Sequence, residues 1–404
     1  MAKATSATTA DISTKRRKLV ARGSDRQPPL IPGLPDHIAI LCLSRVRHAS
    51  LYSVCSSWRR LLYSPAFPSF LSLYAILSPQ PFPDGTFPLP PESDHVSRLS
   101  KIELAAFDPL SSRWLQLPPP LPDQPLSFLL RHPSFISRRF PIQSVSVSGN
   151  LILLAATTDN LFPAIPCPLV FNPITGDWSV GPRLSAPRRW CAAGVSRGAV
   201  YVASGVGSRF ITDVARSVEK WELICSNSHL SSNSDERWRW QKLREMRDMR
   251  FSREAIEAVG WRGKLCMVNV KGGTQREGVI YDVEKDTWAK MPDGMIGGWK
   301  GPAASMNESE LYSVEESTGA LRRYDPERDE WDDVIVSEDL KDAQQIAAGG
   351  ERVCVVTGSG GSRIVVVDVM AAPPRTWAVE TPGGSCAVAV HILPRVSRHE
   401  GACA

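Results

Sequence analysis

The sequence has little of what marks a membrane protein, a secreted protein or an enzyme. No apolar run approaches the roughly 20 residues needed to cross a bilayer. The opening stretch MAKATSATTADISTKRRKLVARGSDRQ holds no apolar core of a secretory signal. Nine cysteines, at 42, 55, 167, 191, 225, 266, 354, 386 and 403, include no Cys-x-x-Cys pair. Their odd number and irregular spacing argue against a disulfide framework. Most sit in apolar strand-like runs, where a reduced thiol is a small hydrophobe. A cytosolic or nuclear protein is expected. Histidine is scarce too: seven, at 37, 48, 95, 132, 229, 391 and 399, with no His-x-x-x-His spacing. No metal site is expected. A Gly-x-Ser-x-Gly elbow and a Gly-x-x-x-x-Gly-Lys-Ser/Thr phosphate loop are both absent. Gly358-Ser359-Gly360-Gly361 leads from one strand into another, so it reads as a hairpin loop and not as a phosphate cradle. A non-catalytic protein without cofactor is the expectation.

What is present is ordinary globular material. Hydrophobic residues make up 43% and charged residues 22% of 404, enough for two or three domains. The net charge of +5 is mild, and part of it lies near the N-terminus. That is not the profile of a nucleic-acid-coating protein. Residues 1–29 are polar and rich in Ser, Thr, Lys and Arg, which predicts a disordered basic tail. Within it, Lys15-Arg16-Arg17-Lys18 reads either as a nuclear import signal or as a solvated charge run.

Residues 30–70 predict a compact helical module. Leu34, Ile38, Leu41 and Leu43 fall near one face of a short first helix, with Pro35 and Asp36 suited to its start. Leu51, Val54, Cys55, Trp58, Leu61 and Leu62 recur at steps of three and four, the period of an amphipathic helix. About forty residues bury too little apolar area to stand alone, so the module must dock on something.

From residue 71 to about 395 the texture changes to short β-branched runs bounded by Gly, Pro, Asn, Asp and Ser, such as Leu151–Leu154, Val353–Val356 and Ile364–Val367. A repeat emerges. Phe107-Asp108, Phe171-Asn172, Tyr281-Asp282 and Tyr324-Asp325 each precede a tryptophan, at 114, 178, 288 and 331, with six residues from Asp or Asn to Trp. Such spacing predicts a hairpin: a strand ending on a turn-capping Asp or Asn, a tight turn, and a strand opening with Trp. Two degenerate copies run from Asp368 to Trp377 and from Trp221 to Trp238 or Trp240, the latter across the polar insertion CSNSHLSSNSDER. Six copies at spacings of 64, 62, 48, 43 and 46 residues fall near the period of a propeller blade. The first unit lacks a strand, and Cys386–Leu393 is a strand without a unit. The tail strand is therefore predicted to supply the innermost strand of the first blade and close the ring. Trp114, Trp178, Trp288, Trp331 and Trp377 are expected in the core. Residues 396–404 are expected to form a flexible tail.

Two resemblances follow. Leu34-Pro35-Asp36, then Val54-Cys55-Ser56-Ser57-Trp58-Arg59-Arg60-Leu61, then Ser64-Pro65-Ala66-Phe67 resemble the F-box. One departure is Arg45-Val46-Arg47, where family members often carry a proline. The tryptophan units resemble kelch repeats, with their glycine pair kept at Gly272-Gly273 and Gly360-Gly361 and replaced by Glu315-Glu316 in the fifth unit. The chain as a whole resembles a plant-type F-box/kelch-repeat protein: an all-α F-box module followed by an all-β propeller of six blades.

The resemblance implies the substrate-recognition subunit of an SCF-type ubiquitin ligase. It would bind a Skp1-type adaptor and through it a cullin, and would act by proximity and not by covalent chemistry. No thioester-forming cysteine domain is recognisable. Implied adaptor contacts are Leu34, Pro35, Ile38, Leu41, Leu43 and Leu51, together with Val54, Cys55, Trp58, Leu61 and Leu62. The sequence does not separate these from the module's own core. In the kelch family, blade-to-blade loops often carry an arginine. Here Arg188, Arg189 and Trp190 enter blade three, Arg250 and Arg253 blade four, and Trp299 and Lys300 blade five. The expectation is a cationic, aromatic rim that takes an acidic or phosphorylated segment of a protein substrate. The alternative is that these arginines pair with nearby carboxylates and hold blades together. Two other functions stay open: a kelch scaffold outside the ubiquitin pathway, and a small-molecule sensor using the channel. No nucleic-acid or membrane partner is expected.

Overall fold

The structure, a computed structural model, describes residues 29–79, 100–120, 127–128, 142–156, 162–208, 214–223, 239–247, 256–269, 276–357 and 363–397. The basic cluster at 15–18, Arg250, Arg253, Gly272-Gly273, Gly360-Gly361 and most of both tails lie outside these residues. The chain divides into two compact units, Met1–Leu62 and Tyr63–Ala404.

The first unit holds three short helices: α1 (Asp36–Leu43), α2 (His48–Val54) and α3 (Ser56–Leu62). Pro35 takes the N-cap of α1, with φ −59° and ψ 141°. Asp36 follows, where a carboxylate suits the helix dipole, and its Oδ1 accepts the Leu30 N–H at 3.1 Å. The turn after α1 closes without a proline: Val46 N–H donates to Leu43 O at 2.9 Å. The single amphipathic helix expected over 51–62 is broken. Cys55 is extended (φ −157°, ψ 167°), so α2 stops there and α3 starts afresh.

The second unit is a six-bladed propeller. Each blade is a four-stranded antiparallel sheet. Blades II to VI take their strands in chain order, beginning at Gln143, Ala192, Ile256, Ala303 and Gln345. Blade I is composite. Its inner strand is Ser385–Pro394, paired antiparallel to Leu71–Pro79 with Leu73 opposite Ile392 and Ala75 opposite Val390. Both ends of the propeller sequence thus share one sheet, and the ring is closed as expected.

The repeat works as a stitch. Asp108 Oδ1 accepts the N–H groups of Leu110 and Ser111 at 2.8 and 3.3 Å; Asn172, Asp282 and Asp325 cap their turns likewise. The aromatic residue before the cap lies opposite the tryptophan: Phe107 and Trp114, Phe171 and Trp178, Tyr281 and Trp288, Tyr324 and Trp331. Each indole N–H then donates to a backbone carbonyl at the preceding seam, in the fourth strand of the blade before it or in the connection that follows that strand. Trp114 reaches Glu380 at 2.8 Å, Trp178 Pro118 at 2.9 Å, Trp240 Pro182, Trp288 Arg244 and Trp331 Met295 at 3.0 Å. Trp240 is buried, but the five tryptophans expected in the core are not full core residues. Trp114, Trp178, Trp288 and Trp331 are half-buried between blades, and Trp377 is 41% exposed.

Apolar packing lies mainly between neighbouring sheets, as in the cluster joining Leu73, Leu77 and Ala105 of blade I to Cys354, Val356 and Val366 of blade VI. The inner strands crowd the axis. A Cβ on Gly260 would lie 1.5 Å from Val195 O, so only glycine lets blades III and IV approach there.

Candidate partner-binding surfaces

On the helical module the structure separates the residues that the sequence left together. In α1, Ala39 and Leu43 are buried, one turn apart. Ile38 and Leu41, three apart on α1, are exposed, Leu41 at 62%, and so is Leu34 just ahead of the helix. Val54 is 57% exposed, and Pro35 and Cys55 are exposed beside their apolar neighbours. Val46, which no pattern singled out, also faces out. Leu43, Leu51, Leu61 and Leu62 are buried, so they give structure to the module and are not open to an adaptor. Trp58 is half-buried, and its Nε1–H donates to Leu30 O at 2.8 Å, tying α3 to the segment ahead of α1. Arg59 donates to Tyr52 O at 2.6 Å and stacks on the Tyr52 ring, tying α3 to α2.

The propeller's hairpin turns, strand one to two and strand three to four, lie at one end of the channel. The strand two-to-three and blade-to-blade connections lie at the other, as the antiparallel order requires. The expected cationic rim belongs to this second end, and there the structure corrects it. Arg188 is 1% exposed and is not a surface cation. Its guanidinium pairs with the equally buried Glu219 carboxylate and donates to Ser217 Oγ at 2.7 Å and Ser204 O at 3.3 Å. Arg188-Arg189 form a short ribbon with Val206-Gly207. Gly205 makes this ribbon possible: its φ is +101°, and a Cβ there would sit 2.8 Å from Arg189 O. Arg189 is also buried, and burial lowers its pKa; it stacks on Trp190 at 4.5 Å. Trp299 is fully buried and donates to Glu257 Oε2 at 3.0 Å. Lys300 stays half-exposed but pairs with Glu315 at 3.0 Å. Glu315, also paired with Arg322, keeps its carboxyl below the usual range against the opposing, largest effect of its own burial. Of the expected rim, Arg188, Arg189 and Trp299 are thus interior residues, and Arg188 ties the connection entering blade III to that blade's own third strand.

The channel has a volume of about 670 Å³ and is walled by the inner strands of all six blades. Its carboxylates are committed. Glu257 accepts the Ala303 N–H at 2.7 Å, and Glu308 accepts the Arg197 N–H at 2.8 Å and the Ser196 hydroxyl at 3.2 Å. Deep in the wall, His391 Nε2 meets Ser144 Oγ at 2.9 Å. Burial pulls the imidazole pKa down to about 4, so the ring is neutral at physiological pH. Among the described residues no carboxylate contacts this pair, and no group of three metal-ligating side chains occurs. The His391–Ser144 pair joins the closing strand to blade II, and no sequence signal marked it.

No family model matches the chain. The chain is 51% identical over 399 residues to the F-box/kelch-repeat protein SKIP25 of Arabidopsis thaliana, covering 97% of this chain and 96% of that one. It is 25% identical over 319 residues to the F-box protein AFR of the same plant, covering 76% and 74%. The solved structure of YjhT aligns with 69% of this chain and 91% of its own, at 13% identity and a TM-score of 0.44. With half its residues shared over nearly the full length of SKIP25, the chain belongs to the F-box/kelch-repeat family.

Proposed function

We propose that this protein is the substrate-recognition subunit of an SCF-type ubiquitin ligase. Its F-box, taken as residues 30–70, binds a Skp1-type adaptor and through it a cullin. Its propeller, residues 71–395, holds a protein substrate for ubiquitination. The chain itself is a non-catalytic subunit that acts in the nucleus or cytoplasm.

One observation carries this reading. The exposed Leu34, Ile38, Leu41 and Val54 together leave apolar area equal to roughly two whole side chains in water. Covering it is worth about 3–6 kcal/mol. A small module with part of its apolar surface turned out is built to be covered by another protein. The residues that would contact the adaptor are Leu34, Pro35, Ile38, Leu41, Val54 and Cys55. The buried Leu43, Leu51, Leu61 and Leu62 shape the surface from beneath.

The test is a pull-down of purified full-length protein with a recombinant Skp1-type adaptor. Ile38→Glu/Leu41→Glu changes exposed positions only, so binding should be lost while the melting transition is kept. A wild-type protein that ignores the adaptor, or a double variant that still binds it, would overturn the ligase reading and leave a kelch scaffold.

A further inference from the structure

Blade VI breaks the tryptophan stitch. In blades I, II, IV and V the residue just ahead of the turn-capping Asp or Asn lies opposite the tryptophan. In blade VI Val367 lies opposite Thr376, and Trp377 lies opposite Val366. Side chains alternate along a strand, so this offset of one residue turns Trp377 to the other face of its sheet. That face carries Cys354, Val366 and Val379, which pack on blade I, whereas Val365 and Val367 pack on blade V. Trp377 therefore stands at the seam with blade I, and the seam with blade V has a threonine where an indole would stitch it.

At this seam the indole is 41% exposed, and its N–H makes no hydrogen bond within the described residues. Arg352 lies over the ring at 5.4 Å from its centroid. Trp377, Arg352, Leu71, Phe107 and Pro109 wall a cleft of about 60 Å³, open to solvent. Arg375 shares this sheet face, two residues before Trp377, and Asp368 stands between the two arginines in register. Asp368 Oδ1 is occupied by the Met370 and Ala371 N–H groups, both at 3.2 Å. Among the described residues, neither Arg352 nor Arg375 has a carboxylate within ion-pair distance, whereas Arg322, Arg328 and Arg363 on the same propeller do.

We propose that this seam is a docking site for an extended acidic segment of a partner protein. An aliphatic or proline side chain enters the cleft beside Trp377, and a neighbouring carboxylate engages Arg352. The indole supplies rigid anchor area, and the stacked guanidinium keeps its N–H edge free for a bidentate carboxylate. The cleft admits about one small aliphatic side chain, which fits a peptide better than a nucleotide base. Charge complementarity selects the occupant: two cations with no described carboxylate within ion-pair distance call for an anionic chain. The site lies away from the buried arginines of the blade-to-blade connections and does not depend on whether the helical module holds an adaptor.

The test pans a displayed library of short random peptides on the full-length protein, with counter-selection on a Trp377→Ala variant. The expected survivors carry Asp or Glu beside an aliphatic residue or proline. A synthetic survivor, followed by fluorescence anisotropy, should bind at least about tenfold more weakly to Trp377→Ala and to Arg352→Glu. Both changes are at exposed positions, so both variants should melt with the wild type. Survivors without acidic residues, equal binding to either variant, no survivors at all, or a preference for a single-stranded oligonucleotide lost in the same variants would each overturn the proposal.

Discussion

Arg188→Ala should damage the fold of blade III, and the size of the damage follows from the partners left behind. Glu219 is 1% exposed, and its carboxylate is held by Arg188 on one oxygen and by Ser185 on the other, through the hydroxyl at 2.7 Å and the N–H at 3.2 Å. Removing the guanidinium leaves a buried charge with two of its three hydrogen bonds and no counter-charge. Breaking a buried pair in this way costs about 3–5 kcal/mol. An unfolding entropy of ~2.1 cal/mol/K per residue over a unit of about 340 residues gives ~0.7 kcal/mol/K. The melting temperature should therefore drop by about 4–7 °C. Differential scanning calorimetry on the full chain would read this directly. A second arm separates pairing from shape. In Arg188→Met/Glu219→Leu both charges are gone, and apolar replacement of a buried pair is often neutral, so at least about 2 kcal/mol should return. If Arg188→Ala melts with the wild type, or the double variant is worse than the single, the claim that the pair holds the blade together fails.

Three further expectations rest on separate contacts. Deleting residues 385–404 removes the inner strand of blade I, so the whole cooperative transition should vanish; a truncated chain that keeps its melt would refute ring closure. His391 has a folded pKa of about 4 against 6.5 for an ordinary imidazole, so the unfolded chain binds the proton more readily. Stability is then lost as pH falls from 6.5 towards 4, by up to about 3 kcal/mol; urea midpoints between pH 6.5 and 5 should fall faster in wild type than in His391→Gln, and parallel profiles would remove the effect. Trp331→Phe loses the hydrogen bond to Met295 O and should cost about 1 kcal/mol, whereas Trp377→Phe, with no such bond, should stay within about 0.5 kcal/mol by chemical denaturation.

The blades were legible because their signal is local. An Asp or Asn that caps a turn and a Trp six residues on are fixed by hairpin geometry, and the register of Phe107 with Trp114 or Tyr324 with Trp331 follows from it. Ring closure was legible by bookkeeping: one strand too few at the front and one too many at the back. The helical module was legible as a motif but not as a surface. Its apolar spacing ran unbroken from Leu51 to Leu62, yet Cys55 is extended and splits it. Val54 and Leu61, which share one helical stripe in the pattern, end up exposed and buried respectively.

The rim failed for a reason that spacing cannot reveal. An arginine in a loop of Pro, Ser and Ala looks solvated, and nothing near Arg188 in the sequence contradicts that. Its partner, Glu219, lies 31 residues on, in the third strand of the same blade, and faces back only because that blade is folded. The pair turns a surface charge into an interior one. Trp377 is the converse. Its place in the repeat predicts an indole stitched to the previous blade. The step of nine residues from Asp368 to Trp377, where the regular blades have six, shifts the pairing by one and sends the ring to the opposite face. In a blade, a charge is interior or exterior according to its cross-strand partner, and an aromatic belongs to one seam or the next according to the parity of its turn. Both facts are pairwise and tertiary, which is why the motif predicts the architecture and not the surface that works.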